Sequence, residues 1–203
     1  MVTVAMRVYH RQRAGRPLRI IWTLEEVGEP YEVSVLDNEE CKSEAHLARH
    51  PLGRVPVLQD DDGYIFESAA MCMQVGDLHP DAGLMPPLGS HQRGLVYQWA
   101  VYAPAELEPP LFEAWRQAEQ DPDRAAAARA KFDLAAEVIL GALEGGEYLL
   151  GDQFTVADVM IGTSLLFTTR AGFADELPGP LKAYMARLSE RPAFTRAVTR
   201  TFG

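Results

Sequence analysis

Cysteine is nearly absent: Cys41 and Cys72 are the only two in 203 residues, far apart and in no CxxC pair. A disulfide framework and a cysteine-built zinc site are therefore not expected, no other metal-ligand constellation stands out, and a reducing compartment, the cytoplasm, suits the chain. Long apolar runs are missing as well. Nothing approaches the roughly 20 residues that span a bilayer, and the apolar start meets Arg7 too soon for a secretory signal, so no membrane partner is expected. Cations are scarce relative to acids, with 19 Lys and Arg against 29 Asp and Glu and a net charge of -10. Such a balance repels phosphate backbones, which argues against a nucleic-acid partner. No internal repeat is visible, and the only compositional bias is the alanine run at 125–130, which fits a helix.

What the chain does have is a core's worth of apolar residues, 47% of the total, enough for one domain or two small ones. Residues 3–9 alternate apolar side chains at Val4, Met6 and Val8 and read as a strand. From Pro17, a favoured first helical residue, Ile20, Ile21, Leu24 and Val27 follow helical spacing until Gly28 and Pro30 stop them. Residues 31–36 read as a second strand and 44–49 as a short helix. Two apolar runs, Val55-Pro56-Val57-Leu58 and Tyr64-Ile65-Phe66, then flank an Asp62-Gly63 turn signal and predict a β-hairpin. Proline has no amide donor, so Pro56 marks where the strand begins and leaves the backbone of Val55 available for pairing. Glu67 and Ser68 follow at once, next to Ala69-Ala70-Met71, which open a helix. A carboxylate and a hydroxyl beside unsatisfied helix amides can hold a cation and an anion together.

The run Gly53-Arg54-Val55-Pro56-Val57-Leu58, the hairpin and Glu67-Ser68-Ala69-Ala70 resemble the glutathione-binding half of the glutathione transferase superfamily. The resemblance implies a thioredoxin-like β-α-β-α-β-β-α domain, a cis Pro56, and glutathione as co-substrate with no metal. Val55 would pair with its cysteinyl portion like an added strand, Ser68 and the helix amides would take the γ-glutamyl carboxylate, and Glu67 would neutralise the ammonium. Arg54 and Pro56 complete that binding set.

Pro and Gly cluster around His79-Pro80-Asp81-Ala82-Gly83 and Met85-Pro86-Pro87. This divides the chain into an α/β domain at 1–79, a linker at 80–91 and an all-helical bundle domain at 92–203. In the bundle, Val96, Trp99, Ala100 and Ala103 form one helical stripe that Pro104 should kink or end. Phe132, Ala135, Ala136, Ile139, Leu140 and Leu143 form another, ended by Gly145-Gly146. Thr155 and Asp158 are spaced as a capping box, with Phe154 and Val159 placed as a hydrophobic staple, before a run at 159–167 that is apolar on nearly every side. That box also resembles the family's second domain. The last two helices are expected at 178–188 and 192–198.

Transferases of this superfamily activate the thiol with Tyr, Ser or Cys in the loop after the first strand. Here that loop reads Tyr9-His10-Arg11-Gln12-Arg13-Ala14-Gly15-Arg16-Pro17, without Ser or Cys. A serine-type alignment puts Ala14 or Gly15 at the hydroxyl position, and a tyrosine-type alignment leaves Tyr9 one residue out of register. Tyr9 is thus one candidate activator, its other reading being a strand-end tyrosine packed on the core. Arg11, Arg13 and Arg16 offer a second route, since adjacent cations and a helix N-terminus lower a thiol pKa. His10 is a further candidate donor. Trp99, Tyr102 and Trp115 offer aromatic walls for an apolar electrophile between the loop and the kinked helix. The expected function is addition of the glutathione thiolate to a hydrophobic small-molecule electrophile, by a homodimer as the resemblance implies. The alternatives are a non-catalytic glutathione-binding or scaffold member, or a glutathione-dependent reductase or isomerase, whose dithiol form the absent loop cysteine disfavours.

Overall fold

The computed structural model describes residues 6–203, so Val4 of the first expected strand lies outside the described residues. Contacts divide the chain into two compact units, one running to Ala82 and taking back Glu190–Gly203, the other spanning Gly83–Ser189.

The first unit is built on a four-stranded mixed sheet. Its strands are β1 (Met6–His10), β2 (Tyr31–Val35), β3 (Val57–Gln59) and β4 (Tyr64–Phe66), in the order β2-β1-β3-β4. β1 runs parallel to β2 and antiparallel to β3, with Tyr9 opposite Val57, and β3 pairs antiparallel with β4, with Val57 opposite Phe66. The parallel pair needs a crossover, which α1 (Pro17–Val27) supplies. Pro17 starts α1, and Gly28 ends it at φ 76 with its N–H on the Leu24 carbonyl, a left-handed cap that glycine adopts without strain. α2 (Glu44–Leu47) is capped by Ser43, and α3 (Ser68–Leu78) follows β4 directly. Asp60 closes the hairpin turn, its carboxylate accepting the N–H groups of Asp62 and Gly63.

The last helix, α9 (Pro192–Phe202), belongs to this unit, whereas the sequence grouped it with the bundle. Two of its cations and Arg191 at its N-cap explain the attachment. Arg191 grips Glu26 of α1 through Nε at 2.6 Å and Nη2 at 2.8 Å. Arg196 and Arg200 meet Glu25 at 2.6 and 3.0 Å, and Phe194 packs edge-on against Trp22. Glu25 and Glu26 are nearly buried while Arg196 and Arg200 are half exposed, so solvent still screens these pairs in part.

The second unit is helical: α4 (His91–Tyr102), α5 (Glu108–Gln117), α6 (Pro122–Leu143), α7 (Val156–Ala171) and α8 (Gly179–Ser189). As Pro104 required, α4 stops at Tyr102, and a single π-helical turn, Ala103–Leu107, leads into α5. The expected stripe of Val96, Trp99, Ala100 and Ala103 is buried, and so are Phe132, Ala136 and Ile139 of α6. α7 is the buried centre of this unit and opens with the expected capping box, in which Asp158 accepts the Thr155 N–H at 2.8 Å. Asp158 further accepts the Leu149 N–H and the Tyr184 hydroxyl. Burial pushes its carboxyl pKa up, and those donors act against that push. No helix among the described residues is long and apolar enough to cross a membrane.

Candidate functional site

Strand register brings four chain segments to one end of the first unit's sheet. β1 leaves that end through His10 and Arg11, β2 through Val35 and Leu36, β3 enters from Val55-Pro56, and β4 exits into Glu67-Ser68. The Val55-Pro56 bond is cis. Val55 precedes the first ladder pair, and its backbone groups make no hydrogen bond with the described residues, so an added strand has both a donor and an acceptor to meet.

The segment that delivers Val55 is fixed from behind. Gly53 adopts φ 60, and a Cβ there would stand 2.5 Å from the carbonyl oxygen of Cys41, so only glycine fits. The imidazole of His46 donates from Nε2 to the Arg54 carbonyl at 2.9 Å, leaving the Arg54 side chain exposed. His50 packs its ring 4.8 Å from that of Phe66, and burial lowers its pKa while Glu67 raises it.

Glu67 is one of two non-glycine residues with positive φ among the described residues, at φ 72 and ψ 109. Such backbone strain persists where surroundings over-determine it and clusters at functional sites. Its consequence is local: α3 begins one residue on, its first amides have no intrahelical acceptor, and the exposed Glu67 carboxylate stands beside them. Ser68 is buried, and its hydroxyl accepts from Arg19 Nη1 at 3.2 Å. Arg19 itself is 1% exposed, a buried cation one α1 residue ahead of Ile20. Reading the sequence did not single it out. The available signal was an arginine on the flank of the apolar stripe of α1, where solvated charges do not belong.

Tyr9 is not brought to this end. Its side chain lies on the opposite sheet face from Val8 and His10, runs back toward the far end of β3 and donates to Gln59 Oε1 at 2.7 Å. The Arg49 guanidinium covers its ring at 4.3 Å. Its hydroxyl and ring are thus engaged within the sheet, as in the packed strand-end reading. His10 is buried, with Nδ1 3.2 Å from the Arg11 carbonyl and Nε2 without a partner. Burial, partly opposed by that carbonyl, lowers its pKa, which keeps the ring neutral.

Arg11 and Arg13 line a polar cavity of about 540 Å³ together with the segment after β2. Arg13 holds φ 64, the second positive value, and Arg11 Nη1 donates to Asn38 Oδ1 at 2.7 Å. Arg16 stands at the N-cap of α1.

In the helical unit, Trp99 is 3% exposed and packs edge-on against Tyr102 with centroids 5.4 Å apart, so it is core and not a pocket wall. Tyr102 does line a cavity, of about 730 Å³, with Glu106, Pro109, Lys131 and Leu134, and its hydroxyl donates to the Ala135 carbonyl. Trp115 is exposed and does not line that cavity.

Residues 4–73 match the family model described as glutathione S-transferase, N-terminal domain, and residues 96–192 match its C-terminal counterpart. A probable glutathione S-transferase of rice, GSTF2, is 32% identical over 93% of this chain and 93% of its own. Glutathione S-transferase GstA of Escherichia coli O157:H7 is 28% identical over 87% and 90%. The solved structure of a glutathione transferase from Methylococcus capsulatus, 27% identical, matches with a TM-score of 0.86 over 97% of this chain and 98% of that one. The chain belongs to the glutathione transferase superfamily.

Proposed function

We propose that the chain is a cytoplasmic, homodimeric transferase that binds glutathione across the sheet end and adds its thiolate to an electrophilic small molecule. The observation that carries this reading is the convergence of an unpaired Val55 backbone with Glu67, Ser68 and the first turn of α3. An extended tripeptide fits these groups in order. Its γ-glutamyl carboxylate meets Ser68 and the α3 amides, its ammonium meets Glu67, and its cysteinyl N–H and C=O meet Val55. Arg19 keeps the Ser68 hydroxyl oriented by donating to it. With Tyr9 engaged on Gln59, the thiolate is favoured by the cationic loop of Arg11, Arg13 and Arg16 at the start of α1. In the reaction the sulfur lone pair forms a C–S bond, and the electrophile's leaving group departs with the electron pair of the bond it loses.

That engagement of Tyr9, in a loop without Ser or Cys, favours one second reading, a member that binds glutathione without turnover. Calorimetric titration with glutathione, paired with turnover of 1-chloro-2,4-dinitrobenzene, separates the two. Saturable binding with chloride-releasing conjugation is the expected result. Binding without conjugation selects the second reading, and absence of binding overturns both.

A further inference from the structure

The N–H with which Val55 would meet a bound peptide belongs to the same planar group as the Arg54 carbonyl. The cis bond is the next one along, so the Arg54-Val55 bond is trans, and its carbonyl and N–H point to opposite sides of one plane. Whatever fixes that carbonyl also aims the N–H. His46 Nε2 lies 2.9 Å from the carbonyl oxygen. We infer that His46 is a positioning residue for glutathione, holding the Arg54-Val55 peptide plane so that the Val55 N–H meets the cysteinyl carbonyl of the ligand. The inference rests on the glutathione reading above and names the side chain that prepares one of its contacts.

The chemistry of the pair sets its direction. A carbonyl oxygen only accepts, so the hydrogen of the imidazole sits on Nε2. Nδ1 is then left as an acceptor, buried and without a partner among the described residues. The ring is fully buried, and its one hydrogen bond among the described residues is the one to Arg54. An apolar side chain would fill the same space without the cost of desolvating two ring nitrogens, so what sets a histidine apart here is its donor.

His46 is itself held on both sides. Its N–H donates to the Ser43 hydroxyl at 3.2 Å, and its carbonyl accepts the N–H groups of Arg49 and His50 at 2.9 and 2.8 Å. The ring packs 6.5 Å from that of Tyr9, which Gln59 anchors. Beyond Arg54, the close approach of Gly53 to the Cys41 carbonyl fixes the backbone that leads into the plane. Donation to a carbonyl also polarises the amide it belongs to and strengthens its N–H as a donor. A bound peptide thus completes a chain that runs from the imidazole through the Arg54-Val55 amide to the cysteinyl carbonyl.

Calorimetry on the full chain tests this with glutathione and an analogue whose cysteinyl carbonyl is reduced to a methylene, weak binding of the analogue being read by displacement of glutathione. His46→Phe keeps a ring without its donor, and His46→Gln keeps a donor near the place of Nε2. The Phe variant is expected to bind glutathione about fivefold more weakly, the scale of one neutral hydrogen bond, and the analogue within about twofold of wild type, with the Gln variant close to wild type for both. Equal losses for the two ligands overturn the inference, because His46 then serves the fold at large. So does a Phe variant that binds glutathione like wild type, or a Gln variant as weak as Phe. Should His46→Phe fail to fold, proton and nitrogen NMR of the wild type decides. The imidazole hydrogen is expected on Nε2, and the Val55 amide proton should move downfield when glutathione binds. A hydrogen on Nδ1, or a Val55 amide that does not move, overturns the inference. If the wild type binds no glutathione, the glutathione reading fails and this inference fails with it. If it binds glutathione and the analogue equally, binding stands and only this inference falls.

Discussion

At the scale of the residue, Ser68 combines two roles, as the first residue of α3 and as the acceptor for a buried arginine. Replacing it with alanine removes one acceptor of Arg19 and the hydroxyl proposed to meet glutathione. Ser68→Ala is therefore expected to weaken glutathione binding by about 1 to 3 kcal/mol, with Glu67→Gln in the same direction, as read by calorimetry. Unchanged affinity in both variants would remove the assignment. His10 makes a pH prediction. Burial lowers its pKa below the ordinary 6.5, so between the folded value and 6.5 the unfolded chain binds more protons than the folded one. Stability from this group is present above pH 6.5 and declines as pH falls through that value. Ring NMR signals that titrate at or above 6.5 in the folded protein would contradict it. The proposed binding residues could be picked out because each belongs to a local backbone signal: proline opening a strand, an Asp-Gly turn, a polar pair before a helix. The contacts of Tyr9 and Arg19 were not legible, because strand alternation and helical spacing name a face without naming the partner on it. The Gln59 and Ser68 partners are distant in sequence.

At the scale of the element, α7 carries the clearest agreement between sequence and structure. Its capping box is a local pattern, and local patterns survive without knowledge of the fold. Thr155→Ala should destabilise the protein by about 1 kcal/mol, since it removes the cap of a buried helix, and the denaturation midpoint reads this directly. A midpoint that does not move would show the cap to be dispensable. Pro104 was equally legible, as a proline inside a helical stripe must release the ladder, although the π turn it produces depends on how α5 continues. α9 was not legible. Its apolar stripe announces a helix that packs, but the choice of α1 is made by Arg191, Arg196 and Arg200 on Glu25 and Glu26, a pairing across most of the chain's length.

At the scale of the whole molecule, family membership makes a homodimer the proposed state, and light scattering at micromolar concentration should give twice the chain mass. A monomeric mass would contradict it. The central claim, however, concerns a thiol: the cationic loop after β1 stabilises the glutathione thiolate although no loop hydroxyl or thiol is there to do so. Free thiol with a pKa of about 8.5 supplies only a few per cent of anion at neutral pH. Ultraviolet titration of the thiolate in the complex measures the shift directly. The bound pKa is predicted to fall by at least one unit, with each unit equivalent to about 1.4 kcal/mol of preference for the anion. The drop should persist in Tyr9→Phe and shrink when Arg11 or Arg13 is replaced by glutamine. A bound pKa equal to that of free glutathione would contradict the transferase mechanism.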